Sequence, residues 1–154
     1  MTTLGKRIYV VDTSVLLADP KSMTRFEEHD VVLPVVVVLE LESKRNHPEL
    51  GWSARQALRQ LEHWRVKYGN LTTAFAVNDA GGTLRVEINH QELSALPPSL
   101  SGDSNDHRIL AVAQNLAAEG NDVTVVTKDL PLRLKASIVG LAADEYRNEL
   151  AHDD

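Results

Sequence analysis

Four acidic residues, Asp12, Glu40, Asp106 and Asp129, stand at the ends of apolar strand-like runs or at the starts of the helix-like segments beside them. Asp12 interrupts "RIYVVDTSVLL", residues 7–17, where hydrocarbon is otherwise continuous. A bare buried carboxylate is costly unless something pairs with it. Each acid also has an ordinary structural reading. Asp12 or Thr13 would cap a helix after a strand, and Asp129 would cap the "LPLRLKA" helix. Glu40 would pair with Lys44 at i,i+4. Asp106 would be an acid favoured by a helix dipole, with Asp103 or Ser104 as the cap. Taken together, the four suggest more than capping. Like charges gathered at one place repel and raise one another's pKa, and a divalent cation relieves that repulsion. Ligation by oxygen alone is the chemistry of Mg²⁺ or Mn²⁺. Such ions activate water and clamp the oxygens of a phosphodiester.

The elements that must position these acids follow from the apolar pattern. Ile8 to Val11 reads as a strand buried on both faces, and Val31 to Leu33 as a second, with Pro34 disfavouring its continuation. Val35 onward, through "LELESKR", reads as a helix opened by that proline. Ser53 to Tyr68 is the clearest helix. Ala54, Ala57, Leu58, Leu61, Trp64 and Tyr68 form one stripe, which makes Trp64 a core residue, and Arg55 and Arg59 stack on another. "TAFAVNDAGGTLRVEIN" reads as a hairpin turning at Asn78 to Gly82, and Leu93 to Ser104 as loop. "SNDHRILAVAQNLAAEG" is a helix closed by Gly120. "DVTVVT" is a strand, "LPLRLKA" a short helix and "IVGLAADEY" the place of a last short strand. Strands alternating with helices imply an α/β sheet with a parallel centre, and such sheets bind ligands beyond the carboxyl ends of their strands. All four acids can reach that edge.

The bulk numbers narrow the field. A chain of 154 residues is one domain of ordinary size, and with no cysteine it has no disulfide, thiolate metal site or cysteine nucleophile. No stretch approaches the roughly 18 apolar residues of a membrane span, and no signal-peptide pattern opens the chain, so no membrane is expected and a cytoplasmic location is the default. The net charge is −6, but Lys44, Arg45, Arg55, Arg59, Arg65 and Lys67 face only Glu49 and Glu62 in their stretch. That stretch is either a solvated or packing face or a contact for a nucleic-acid backbone. The six histidines show no ligand spacing, and neighbours His107 and Asp106 would point about 100° apart on a helix. Neither a G-x-S-x-G elbow nor a glycine-rich dinucleotide fingerprint occurs, and the order of acids does not clearly match a phosphoacceptor receiver domain.

"VVDTSVLL", "VVLELESK", "NDHRILAVA" and "VTVVTKD", in that order and spacing, resemble the PIN-domain nucleases. The likeness is greater to the PIN domain at the N-terminus of PhoH-like ATPases, through "LLADPKSMTRFEEHDVVLP", "GWSARQALRQLE" and "DLPLRLKA". It covers about Arg7 to Tyr146. The resemblance implies a Rossmann-like three-layer α/β/α sandwich around a mainly parallel sheet, spanning residues 1–150, with 151–154 a polar tail suited to begin a linker. It implies a metal-dependent ribonuclease cleaving single-stranded RNA, with Asp12, Glu40, Asp106 and Asp129 as Mg²⁺ or Mn²⁺ ligands. Ser14 and Thr127 match positions where the family uses small hydroxyl residues to orient a carboxylate or water. Glu42 is a nearby extra acid, either a water-mediated ligand or a surface charge. Lys44, Arg45, Arg55 and Arg59 would position the RNA backbone. The chain has Leu39-Glu40 where relatives read Glu-Glu, and Glu40 keeps the functional position. No G-x-x-x-x-G-K-[ST] stretch occurs, so a PhoH-like ATPase would be a partner or a further domain. Family members also commonly dimerise, so a homo-oligomer is expected. Two other readings stand: a non-catalytic PIN scaffold that binds RNA or such an ATPase, and a toxin of the VapC type.

Overall fold

The computed structural model describes residues 6–100 and 102–146, so the tail at 151–154 lies outside the described residues. Six strands form one sheet: β1 (Ile8–Val11), β2 (Asp30–Pro34), β3 (Phe75–Ala76), β4 (Thr83–Glu87), β5 (Val123–Val126) and β6 (Ala142–Asp144). Their order is β3-β4-β2-β1-β5-β6, parallel throughout except for β3 against β4. Five helices complete the fold: α1 (Thr13–Ala18), α2 (Val35–Lys44), α3 (Gly51–Tyr68), α4 (Asn105–Ala118) and α5 (Leu130–Ile138). No described helix is long and apolar enough to cross a membrane.

The chain steps from β1 to β2 to β4 in one direction and from β5 to β6 in the other. Right-handed crossovers then put α1–α3 on one face and α4 and α5 on the other. The two directions part between β1 and β5, and ligands bind in open α/β sheets at such a point. The register Val11↔Val126 sets the ends of these strands side by side, so Asp12 and Thr127 emerge next to each other. Val10, Val11, Val32, Leu33, Val125 and Ile109 are sealed from solvent around them.

Pro34 closes β2 and is also the residue from which α2 springs, with φ −56° and ψ 143°. Its ring fixes the required φ, and no loop intervenes. Helix α3 begins two residues before the expected Ser53, because the Gly51 N–H bonds the His47 carbonyl at 2.9 Å. An added Cβ there would crowd the Arg45 carbonyl at 2.7 Å, which is the reason for glycine. Trp64 is buried against Phe75, as its stripe requires. The expected hairpin is present but its arms differ. β3 is a two-residue antiparallel edge, whereas β4 pairs in parallel with β2 over five residues and belongs to the interior of the sheet. Asn78 builds the turn: its Oδ1 accepts from Ala80 and Gly82 N–H, and its amide donates to the Thr24 and Glu27 carbonyls. The 93–104 loop contains two 3₁₀ turns, Leu93–Ala95 and Pro98–Leu100.

Tyr146 ties the last described segment to the turn after α1. Its hydroxyl donates to Asp19 Oδ2 at 2.7 Å, both residues being buried, and its ring packs on Phe26. Burial and this bond hold the phenol well above its ordinary value of 10. The stabilisation is therefore whole below pH 10 and is lost as pH rises beyond it, where the unfolded chain ionises first. Tyr146→Phe is expected to cost about 2 kcal/mol in urea unfolding at neutral pH, as for a hydrogen bond to a charged acceptor. The variant should also lose less stability than the parent between pH 9 and 11.

Candidate functional site

Asp12 directly follows β1, and its N–H bonds the Val126 carbonyl at 3.0 Å. The carboxylate is 6% exposed. Oδ2 accepts from Ser14 Oγ at 2.7 Å, from Thr127 Oγ1 at 2.8 Å and, at a longer 3.4 Å, from the Ser14 N–H. Asp12 does cap α1, as one reading of the sequence had it, yet only one of its oxygens is used. Oδ1 has no hydrogen-bond partner among the described residues. The two hydroxyls are themselves fixed: Ser14 Oγ accepts from the Lys128 N–H and Thr127 Oγ1 from the Asp129 N–H, both at 3.0 Å. Each hydroxyl has a single proton, and giving it to Asp12 leaves none for the 3.2 Å approach between the pair. The loop carrying Asp129 is thereby strapped to Asp12.

Glu40 is half-buried on α2, and its Oε1 accepts from Thr13 Oγ1 at 2.6 Å. No ion pair joins it to Lys44 among the described residues, so the helix-surface pairing is not realised. Asp129 occupies the capping position of α5 but makes no side-chain capping bond. Ser104, not Asp103, caps α4, through the His107 N–H at 3.2 Å, while Asp103 pairs with Arg108. This leaves the Asp106 carboxyl, in the first turn, without capping work. It is pushed above its ordinary 3.8, first by burial and then by the charges of Asp12 and Asp129, with a smaller push from Glu40. Lys135 pulls the other way. Four carboxylates from four separate segments thus share one electrostatic field.

Among the described residues, no group of three or more His, Asp or Glu side chains stands close enough to hold a metal ion as placed. The donor set nonetheless suits a hard divalent cation. It is carboxylate oxygen alone, Asp12 keeps one oxygen uncommitted, and Asp106 registers the repulsion such a cation would relieve.

Glu42 is exposed. Lys44 and Arg45 end α2, and Arg55 and Arg59 are exposed on α3. Arg55 Nη1 donates to the Arg45 carbonyl, so this guanidinium already closes the end of α2. Arg65 is held bidentate by Glu62, at 2.6 and 2.8 Å. The sequence reading named Thr13 only as a possible helix cap and did not name Lys135. Thr13 anchors Glu40, and Lys135 is the cation near Asp106. The hydroxyl pair beside Asp12 in "DTS" was a signal for Thr13, while nothing in the spacing of Lys135 marked it.

Thr127 is sealed from solvent while donating to Asp12 and accepting from Asp129. Thr127→Val leaves both groups short of a partner and should cost about 2 kcal/mol in urea unfolding, with Thr127→Ser close to the parent. For Asp106 the sign runs the other way. A carboxyl raised in the folded state destabilises once the pH exceeds its unfolded value. In metal-free buffer Asp106→Asn should therefore raise the melting temperature at pH 7, by on the order of 2 °C, with the gain vanishing near pH 3. Scanning calorimetry at the two pH values checks this.

Residues 9–147 match the PIN domain family. The chain is 60% identical over 146 residues to Protein PhoH2 of Mycolicibacterium smegmatis, covering 95% of this chain and 33% of that protein. It is 41% identical over 155 residues to Protein PhoH2 of Bacillus subtilis, covering 96% and 35%. The chain thus spans about a third of the length of these relatives. A solved domain of a functionally unknown protein from Methanocaldococcus jannaschii superposes with a TM-score of 0.58 at 18% identity, over 92% of this chain and 91% of that one, which is a likeness of fold. The chain belongs to the PIN-domain family.

Proposed function

We propose that this chain is a divalent-metal-dependent ribonuclease acting on single-stranded RNA, with Asp12, Glu40, Asp106 and Asp129 holding Mg²⁺ or Mn²⁺. The observation that carries the reading is the shared field of the four acids, registered in the raised pKa of Asp106. Family membership supports it. When bound, the cation would supply Lewis-acid polarisation of the phosphodiester and activation of the attacking water. The chain's own residues do the positioning. Ser14 and Thr127 fix Asp12, and the Asp129 N–H on Thr127 fixes the neighbouring loop. Thr13 fixes Glu40. Lys44, Arg45, Arg59 and the uncommitted nitrogens of Arg55 attract the RNA backbone toward an otherwise acidic body.

The wider setting belongs to the same proposal. The chain forms a single nuclease domain, works in the cytoplasm, self-associates, and acts with a PhoH-like ATPase domain, for which relatives about three times its length leave room. A non-catalytic scaffold that binds RNA or such an ATPase is the second reading. One assay decides between them. End-labelled single-stranded RNA with Mn²⁺ should be cut by the parent and left intact with EDTA or with Asp12→Asn. Thr127→Val should slow cutting by roughly 10- to 100-fold, the usual cost of losing a group that orients a metal ligand. No EDTA-sensitive products with the parent, or equal cutting by Asp12→Asn, would overturn the nuclease reading in favour of the scaffold.

A further inference from the structure

Trp52 is 61% exposed in the first turn of α3, while the chain's other tryptophan, Trp64, is 5% exposed in the core. Trp52 is not an isolated apolar residue on the surface. It lines a shallow groove of about 260 Å³ with Gln56 and Gln60, one and two turns further along α3, and with Pro20 and Lys21 from the turn after α1. The indole N–H, both amides and the Lys21 ammonium have no intramolecular hydrogen-bond partner among the described residues. The groove therefore offers an aromatic face, two groups that each donate and accept, and one cation, all uncommitted. Arg55 and Arg59 lie on the adjoining strip of the same helix, within the one markedly basic stretch of an acidic chain.

We infer that this groove is a base-binding subsite for single-stranded RNA, in which a nucleobase stacks on Trp52, Gln56 and Gln60 meet its edge, and Lys21 meets the adjoining phosphate. An unpaired base has a face for stacking and an edge for hydrogen bonds, and aromatic and amide side chains read those two features. A purely apolar partner would leave two amides and an ammonium unpaired, and basic flanks favour a polyanion over an acidic or neutral protein surface. The six residues of α1, about 9 Å of helix, separate this groove from Asp12. The bound base thus lies a few nucleotides from the acids, and it sets which bond of the strand is presented to them. The inference rests on the ribonuclease reading and specifies where its substrate is held.

The full chain is titrated in EDTA with 12-nucleotide homopolymers of uridine and adenosine while tryptophan emission is recorded. Stacking should quench the solvent-exposed Trp52 component and leave the buried Trp64 component unchanged. Trp52→Ala should weaken binding by roughly 5- to 100-fold, and Gln56→Ala should reduce the difference between the two homopolymers. In Mn²⁺, Trp52→Ala should shift the positions of the cuts or raise KM, with melting temperature preserved. Cleavage by the parent with no quenching, or with unchanged affinity in Trp52→Ala, overturns the subsite and leaves the ribonuclease reading standing. Quenching without cleavage retains the subsite and removes the nuclease. No binding by the parent overturns both. Parent-like RNA affinity in Trp52→Ala, together with loss of self-association in sedimentation, assigns the groove to a protein contact and overturns the inference.

Discussion

A buried carboxylate that stays charged needs donors, and the site is arranged around supplying them to one oxygen of Asp12. Ser14 and Thr127 both spend their only proton on Oδ2, and each accepts a backbone N–H from the loop after β5. The clamp is local in space and remote in sequence, since residues 12 and 127 belong to opposite ends of the chain. It makes the loop that carries Asp129 part of the same rigid unit as β1. Because the donors satisfy only one oxygen, the other keeps its capacity to ligate. Asp106 has no such donors among the described residues and is raised by burial and by its neighbours' charges.

The charge distribution has a second tier. An acidic centre repels a polyanion, so a substrate of that type has to be gripped elsewhere. The cations that could do so are concentrated at the end of α2 and along α3, but they are not equivalent. Arg55 closes the end of α2 and Arg65 is neutralised by Glu62, whereas Arg59 lies open. A count of basic residues overstates what is available for binding, because part of that charge holds the helices together. The apolar side of α3 is invested in the fold through Ala54, Ala57, Leu61 and Trp64, which leaves its outer side available for contact.

Much of this was readable from residues alone. Runs of β-branched residues marked β1 and β5, and the 3.6-residue stripe marked α3, because burial imposes those periods directly. The four acids were identifiable by their places at strand ends and helix starts. What could not be read was pairing. The segment at Thr83–Glu87 looked like the second arm of a hairpin, and no periodicity reveals that its other edge pairs with β2. Nor do one-dimensional patterns show which hydroxyl reaches which oxygen, so Thr13 was read as a possible cap and its bond to Glu40 was missed. The start of α3 was misplaced because it depends on a particular bond, Gly51 N–H to the His47 carbonyl, and not on helix propensity.

The side-by-side pairing of Val11 with Val126 has a consequence for how such a chain can change in length. One residue added to or removed from either strand would turn its terminal side chains to the opposite face of the sheet and carry Asp12 away from Thr127. Substitutions on the outer helices leave that alignment intact, and the long connection between β4 and α4 can absorb added residues without moving it. Length is therefore constrained most tightly in two of the shortest segments of the molecule, four residues each. Variation by insertion and deletion has room in the 88–104 loop and almost none in the eight residues that hold the acid and its clamp together.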